Sequence, residues 1–167
     1  MGDPSKVSRE LVGRLIDLAV QNQVAAARLL REHPELLQAR YIHGETPLHF
    51  CAVEGFVEGV RFLAEAGVPV DAENEFGDSA LVDAVTLGNL DVVRVLLSLG
   101  ANPNSTSATM GPVLHLAVLH GYVESVAALL DAGARPDYVT DLGEKIWDIA
   151  WRHEAVVKLL ESRGIRQ

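Results

Sequence analysis

Six histidines, one cysteine and a run of carboxylates are the side chains of this sequence that could do chemistry. Histidines can hold a metal or move protons near neutral pH, and His49 and His115 invite that reading because they stand at matching positions in the chain. His115 and His120 are five residues apart, whereas two ligands on one helix face want a spacing of three or four. Zinc is therefore not expected. The stretch Asp71-Ala72-Glu73-Asn74-Glu75-Phe76-Gly77-Asp78 sets acids at alternate positions ahead of a glycine, like a calcium loop. Such a loop needs its glycine sixth and a bidentate Glu twelfth. Counted from Asp71 the glycine falls seventh and the twelfth residue is Val82, so no calcium site is expected either. The chain has no glycine-rich phosphate loop, no Gly-x-Ser-x-Gly elbow and no His-Glu-x-x-His. No cofactor, metal or catalytic group is expected, and an enzyme is not. The alternative, a small hydrolase using His43, His120 or nearby acids, has no motif to carry it.

Charge narrows the partners. The formal net charge is −9, and residues 41–93 hold ten acids against the single base Arg61, so that segment carries the whole imbalance. A field of this sign repels phosphate backbones and anionic lipid and steers basic partners inward; nucleic acid is not an expected ligand. The blander reading is that these acids are solvated helix faces that keep the protein soluble. No apolar run approaches the roughly 18 residues that span a bilayer, and Met1 to Glu10 lacks the apolar stretch of a secretory signal. Lys6 stands where myristoylation needs Ser or Thr, so no membrane attachment is expected. The sequon Asn104-Ser105-Thr106 should go unused without a secretory route. The lone Cys51 precludes an internal disulfide and suits a reducing compartment; the cytoplasm is the expected location.

The elements that would position these residues follow from a 33-residue period. Leu48, Leu81, Leu114 and Trp147 are spaced by it, as are Cys51, Ala84, Ala117 and Ala150; Gly55, Gly88 and Gly121; Leu63, Leu96 and Leu129; Gly67, Gly100 and Gly133; and Asp71, Asn104 and Asp137. Within one period Thr46 to Val53 and Val57 to Ala66 read as two short helices, with apolar residues three and four apart and Gly55 between them. Thr46 suits an N-cap and Pro47 the first helical turn. Gly67 falls where the second helix must stop, as do Gly100 and Gly133. Cys51 shares a small inward position with three alanines and should be buried and inert.

Gly44-Glu45-Thr46-Pro47-Leu48-His49, followed by Gly55, Leu63 and Gly67, resembles the repeat pattern of the ankyrin family. The resemblance covers nearly the whole chain and implies an all-α solenoid of stacked helix-turn-helix units with short hairpin-like fingers. The expected domain is single, 1–167: an N-terminal capping unit at 5–40, repeats at 41–73, 74–106 and 107–139, and a C-terminal capping unit at 140–167. In that family the histidine of the Thr-Pro-Leu-His motif hydrogen-bonds backbone between units, so His49 and His115 are expected to be structural. The 74–106 repeat has Ser79-Ala80-Leu81-Val82 in place of the motif, keeping a cap and losing the histidine. The 107–139 repeat has Met110 where earlier copies have glycine, with Gly111 one residue late, so its finger over 105–111 should be irregular or mobile. Leu11, Leu15, Leu18 and Ala19 mark the inward stripe of an opening helix that Asp3-Pro4 would cap, followed by Val24 to Leu30. The last unit should be about three residues shorter between its helices, with Trp147 and Trp151 closing the end as an aromatic lid, or else offering a platform to a partner.

The resemblance also implies a binding groove formed by the finger tips and the exposed side of each first helix. The positions that carry over are Ile42, His43, Glu45, Glu75, Phe76 and Asp78 on the fingers, and Val53, Glu54, Thr86, Leu87, Leu119 and His120 on the helices. Apolar anchors among selecting charges suit a protein partner, a basic or amphipathic segment. The competing expectation is that Val53, Leu87 and Leu119 pack inside the stack. The chain is expected to act as a monomeric adaptor, scaffold or inhibitor, or else as a structural module of a longer chain.

Overall fold

The structure, a computed structural model, describes residues 8–140 and 143–166. The proposed Asp3-Pro4 cap lies outside the described residues. Within them Ser8 caps the first helix, its side chain accepting the Glu10 N–H. Helices run in pairs: α1 (Arg9–Gln21) with α2 (Gln23–Glu32), α3 (Pro47–Val53) with α4 (Val57–Glu65), α5 (Ala80–Thr86) with α6 (Leu90–Ser98), α7 (Val113–Leu119) with α8 (Val123–Asp131), and α9 (Ile146–Ala150) with α10 (Glu154–Ser162). A 3-10 turn over Pro34–Gln38 follows α2 and buries Leu36. The first helices α3, α5, α7 and α9 pack in one row and the second helices α4, α6, α8 and α10 in another. This is the expected solenoid.

The core is a set of ladders running through the stack. Leu48, Leu81 and Leu114 are buried, as are Val60, Val93 and Val126, and Leu63, Leu96 and Leu129. Each such side chain contributes on the order of 1.5–3 kcal/mol of burial, and its neighbours in the ladder belong to other units. Cys51, Ala84, Ala117 and Ala150 are fully enclosed where the two rows meet, and burial pushes the Cys51 thiol up to about 12, which leaves it inert.

Backbone and side-chain hydrogen bonds repeat with the same period. The Asp71 carboxylate accepts the Asn102 N–H at 2.8 Å and Asn104 Oδ1 accepts the Arg135 N–H at 2.8 Å. Fingers are joined by Glu75 N–H to His43 O (2.8 Å) and Ala108 N–H to Phe76 O (3.1 Å). The last finger of the repeats is an ordered hairpin: β1 (Thr106–Ser107) pairs antiparallel with β2 (Gly111–Pro112). Ser107 Oγ accepts the N–H groups of Thr109 and Met110 inside its loop. The displaced Gly111 thus leaves the finger in register, Thr106 pairing with Pro112 as Glu73 pairs with Ser79 one period earlier.

His49 ties two units together as expected. Its Nδ1 accepts the Thr46 N–H at 3.1 Å, which leaves the proton on Nε2 to be donated to the Asp78 carbonyl, 2.9 Å away in the next unit. Burial lowers its pKa below the ordinary imidazole value and keeps the ring neutral. His115 departs from the expectation. Both of its ring nitrogens are buried without a partner among the described residues, and the ring instead meets Tyr138 edge-on with centroids 6.0 Å apart. Trp151 departs too: it is 69% exposed, with the Arg152 guanidinium over its ring. Only Trp147 packs against the core, so the lid is one ring and not two.

A second series of inter-unit ties begins at the second helices. Asn89, at the N-cap of α6, donates to the carbonyls of Ala52 and Val53 at 2.9 and 3.0 Å. His153, at the N-cap of α10, donates from Nε2 to Leu119 O at 2.9 Å. These side chains lie against the turn glycines of the preceding unit. A Cβ on Gly121 would stand 2.5 Å from His153 Nδ1. The last unit reaches this geometry with α10 starting two residues earlier in phase, since Leu160 takes the place of Leu129 after 31 residues.

Two outcomes follow for stability. His49→Ala strands a buried donor and acceptor and should cost roughly 2–4 kcal/mol in urea denaturation, at least about 1 kcal/mol more than His115→Ala; equal losses would refute the bridging role. Gly133→Ala, whose added Cβ meets nothing within 4 Å at φ 95°, should cost about 1–2 kcal/mol of backbone strain. Gly121→Ala, at φ 71°, should cost about 1 kcal/mol more because His153 is displaced, and that excess should vanish in a His153→Ala background.

Candidate functional site

Among the described residues, the first helices and the fingers leave one face of the stack uncovered. Ile42, His43, Glu75 and Phe76 are exposed on the finger tips, and Val53, Glu54, Leu87, Leu119 and His120 are exposed where α3, α5 and α7 end. Leu87 is 52% exposed and Phe76 44%, so Val53, Leu87 and Leu119 do not pack inside the stack. His43 lies between the Glu75 carboxylate (3.6 Å) and the Phe76 ring (centroids 5.7 Å apart), linking two tips. His120 stacks on Tyr122. Thr86 is half-buried and its hydroxyl donates to Val82 O at 2.9 Å; it is a helix-satisfied group.

Glu45 and Asp78 are not at the tips. Glu45 is half-buried, with Oε2 accepting the His43 N–H at 2.9 Å. Asp78 is only 7% exposed, and its Oδ1 is sealed without a hydrogen-bond donor among the described residues. The reason is positional: both residues immediately precede the cap of a first helix, Thr46 and Ser79, and so sit at the base of a finger.

Two participants escaped the sequence reading although a signal was present. Asp83 stands 33 residues from both Phe50 and Leu116, so one unit carries a carboxylate where its neighbours carry apolar groups. Burial, then the charges of Asp78 and Glu45, push its carboxyl up to about 7. Arg152 stands one period beyond Leu119 and, with exposed Trp151, ends the same row. The face is thus acidic over α3 and α5, with the Arg152 guanidinium just beyond the end of α9.

The depressions of the face are open and of modest size: a cleft of about 440 Å³ beneath the third finger, lined by Ser107, Met110, Tyr138 and Glu144, and one of about 230 Å³ bounded by Leu116, Leu119, His115 and Arg152. Among the described residues no three His, Cys, Asp or Glu side chains converge as a metal set, and no helix is long and apolar enough to cross a membrane.

Stacked helical hairpins that bury their apolar sides against one another and leave a row of helix ends and finger tips open define a repeat solenoid. A family model for ankyrin repeats in three copies matches residues 15–107, and one for a single ankyrin repeat matches residues 113–141. The chain belongs to the ankyrin-repeat family, whose members are generally protein–protein interaction modules. A search of curated proteins gives no match.

The Asp83 shift has a thermodynamic consequence. Its folded-state carboxyl keeps a proton up to about pH 7 against an ordinary value of 3.8. Between those values the native state binds more protons than the unfolded chain, so this group opposes folding increasingly as pH rises from about 4 to 7 and is without effect below. Asp83→Asn should therefore raise Tm at pH 8 by about 2–4 °C and leave it unchanged at pH 4, as followed by thermal unfolding.

Proposed function

We propose that this protein is a non-catalytic adaptor or inhibitor that grips a basic or amphipathic segment of another protein along the face formed by its fingers and first helices. The observation that carries this reading is the row Val53, Leu87 and Leu119. These apolar side chains stay exposed beside Glu54 and the acidic finger bases while the ladders behind them are sealed. Groups that exclude water on a rigid support, flanked by charges that select, are what anchors a partner. The charge of −9 concentrated over residues 41–93 favours a cationic segment and raises its rate of encounter. The reading takes the protein as a monomer in a reducing, cytoplasmic setting, in keeping with its single, buried thiol.

Affinity capture from native lysate should recover a defined set of proteins on the native chain and lose them on the combined variant Phe76→Ala, Leu87→Ser, Glu54→Lys, all three sites being exposed. Identical sets on both baits would place the binding surface elsewhere.

A further inference from the structure

The seam between the 107–139 unit and the last one lacks the histidine bridge that closes the seam after the first repeat. There, His49 is held at Nδ1 by the Thr46 N–H and hydroxyl and donates from Nε2 to the Asp78 carbonyl. Pro112 stands two periods on from Thr46 and has neither N–H nor hydroxyl to offer. Glu144 follows His115 by the same 29 residues that separate Asp78 from His49, but its carbonyl takes the Thr140 N–H at 3.0 Å and no donor from His115. His115 is only 5% exposed, and both of its ring nitrogens are buried without a partner among the described residues.

The second observation is the cavity at that seam. About 230 Å³ of space lies between α7 and the last unit, with His115 in its wall. Leu116, Leu119 and Ile149 give it apolar surface, and Glu144 and Arg152 bring one charge of each sign. Leu119 also ends the exposed row formed with Val53 and Leu87, so the cavity lies beside that row. It shares Met110 and Pro112 with the cleft of about 440 Å³ beneath the third finger, and the two make one continuous depression. An imidazole buried with both nitrogens unbonded is costly, and a group that enters this cavity is placed to relieve the cost.

Resting on the reading of this face as a partner-binding surface, we propose that the cavity takes the phenol ring of a tyrosine carried by the bound segment, with the tyrosine hydroxyl hydrogen-bonded to His115. Size sets the ring. An apolar cavity of about 150 Å³ holds benzene, and the larger volume here leaves room for one substituent. Polarity sets the hydroxyl. Burial lowers the His115 pKa and keeps the imidazole neutral, with one N–H to donate and one nitrogen to accept, and a hydroxyl can answer either. A carboxylate would meet Glu144 and an ammonium would meet Arg152, each after losing its hydration. A phenol brings no charge, lays its ring on Leu116, Leu119 and Ile149, and finds the partner that a buried tyrosine hydroxyl requires.

The test is a titration of the full-length chain, with nitrogen-15 in its histidine rings and carbon-13 in its Leu and Ile methyl groups, against the capped tripeptides Ala-Tyr-Ala and Ala-Phe-Ala. Saturable shifts of the His115 ring nitrogens are expected with the tyrosine peptide, and binding about tenfold weaker with the phenylalanine peptide; a tenfold difference is about 1.4 kcal/mol. His115→Phe keeps a ring in the wall and removes both of its nitrogens, so it should bind the two peptides alike, as read at the methyl groups of Leu119 and Ile149. Equal affinity of the native chain for both peptides, no saturable shift of the His115 nitrogens, or a tyrosine preference that survives His115→Phe would each overturn the pocket. These results leave the broader reading to its own variant, Phe76→Ala with Leu87→Ser and Glu54→Lys, none of whose positions lines the cavity.

Discussion

No unit of this chain can shield its own apolar side, and that constraint sets the rest of the structure. A pair of helices of seven and nine residues, such as α3 and α4, is too short to persist alone in water. It persists because Leu48 and Leu63 are closed in by side chains of the units before and after. The period of 33 is the number of residues that returns the chain to the same face after two helices and a finger. Anything that changes the count must be absorbed where it occurs, as the last unit does by starting α10 early.

The same register places polar ties at fixed addresses. The histidine bridge from His49, the side-chain acceptors Asp71 and Asn104, and the N-cap donors Asn89 and His153 all reach across a seam to a backbone group. Their work is to satisfy backbone donors and acceptors that the short helices and the loops between them leave open. This division of labour places structural duty on backbone groups and leaves side chains at the finger tips and helix ends exposed. It also explains why an acid can stand at position 83: the stability lost there is local, and the ladders on either side are intact.

Much of this was legible in the sequence, for a physical reason. Helix limits, turn glycines and the leucine ladders are dictated by local chemistry repeated in phase, so Thr46, Gly67 and Cys51 behave as their types demand. What escaped depends on contacts between units that are not copies. Asp78 reads as a tip residue beside exposed Phe76, yet it is buried at the base of the finger, where its carbonyl accepts from His49 of the preceding unit. His115 stands at the position of His49, but Pro112 takes the place of Thr46 and brings neither the N–H nor the hydroxyl that holds the His49 Nδ1, and both His115 nitrogens are left without a partner among the described residues. Trp151 shares helical spacing with Trp147, but it falls just beyond α9, where the chain turns away and leaves the ring outside. The pairing of Asp83 with Asp78 and Glu45 required knowing which positions face each other across a seam, although the break in the apolar pattern at residue 83 was visible from the start.

The N-cap ties run in one direction, each made by a later unit on the helix ends of an earlier one. Asn89 completes the carbonyls that finish α3, and His153 completes one that finishes α7. A ribosome releases the chain from its N-terminus, so α3 leaves the exit tunnel with its last carbonyls still facing solvent and acquires their donor only after a further 36 residues, when Asn89 emerges. Ordering during synthesis therefore trails translation by about one period, and a pause within a unit leaves its predecessor unfinished.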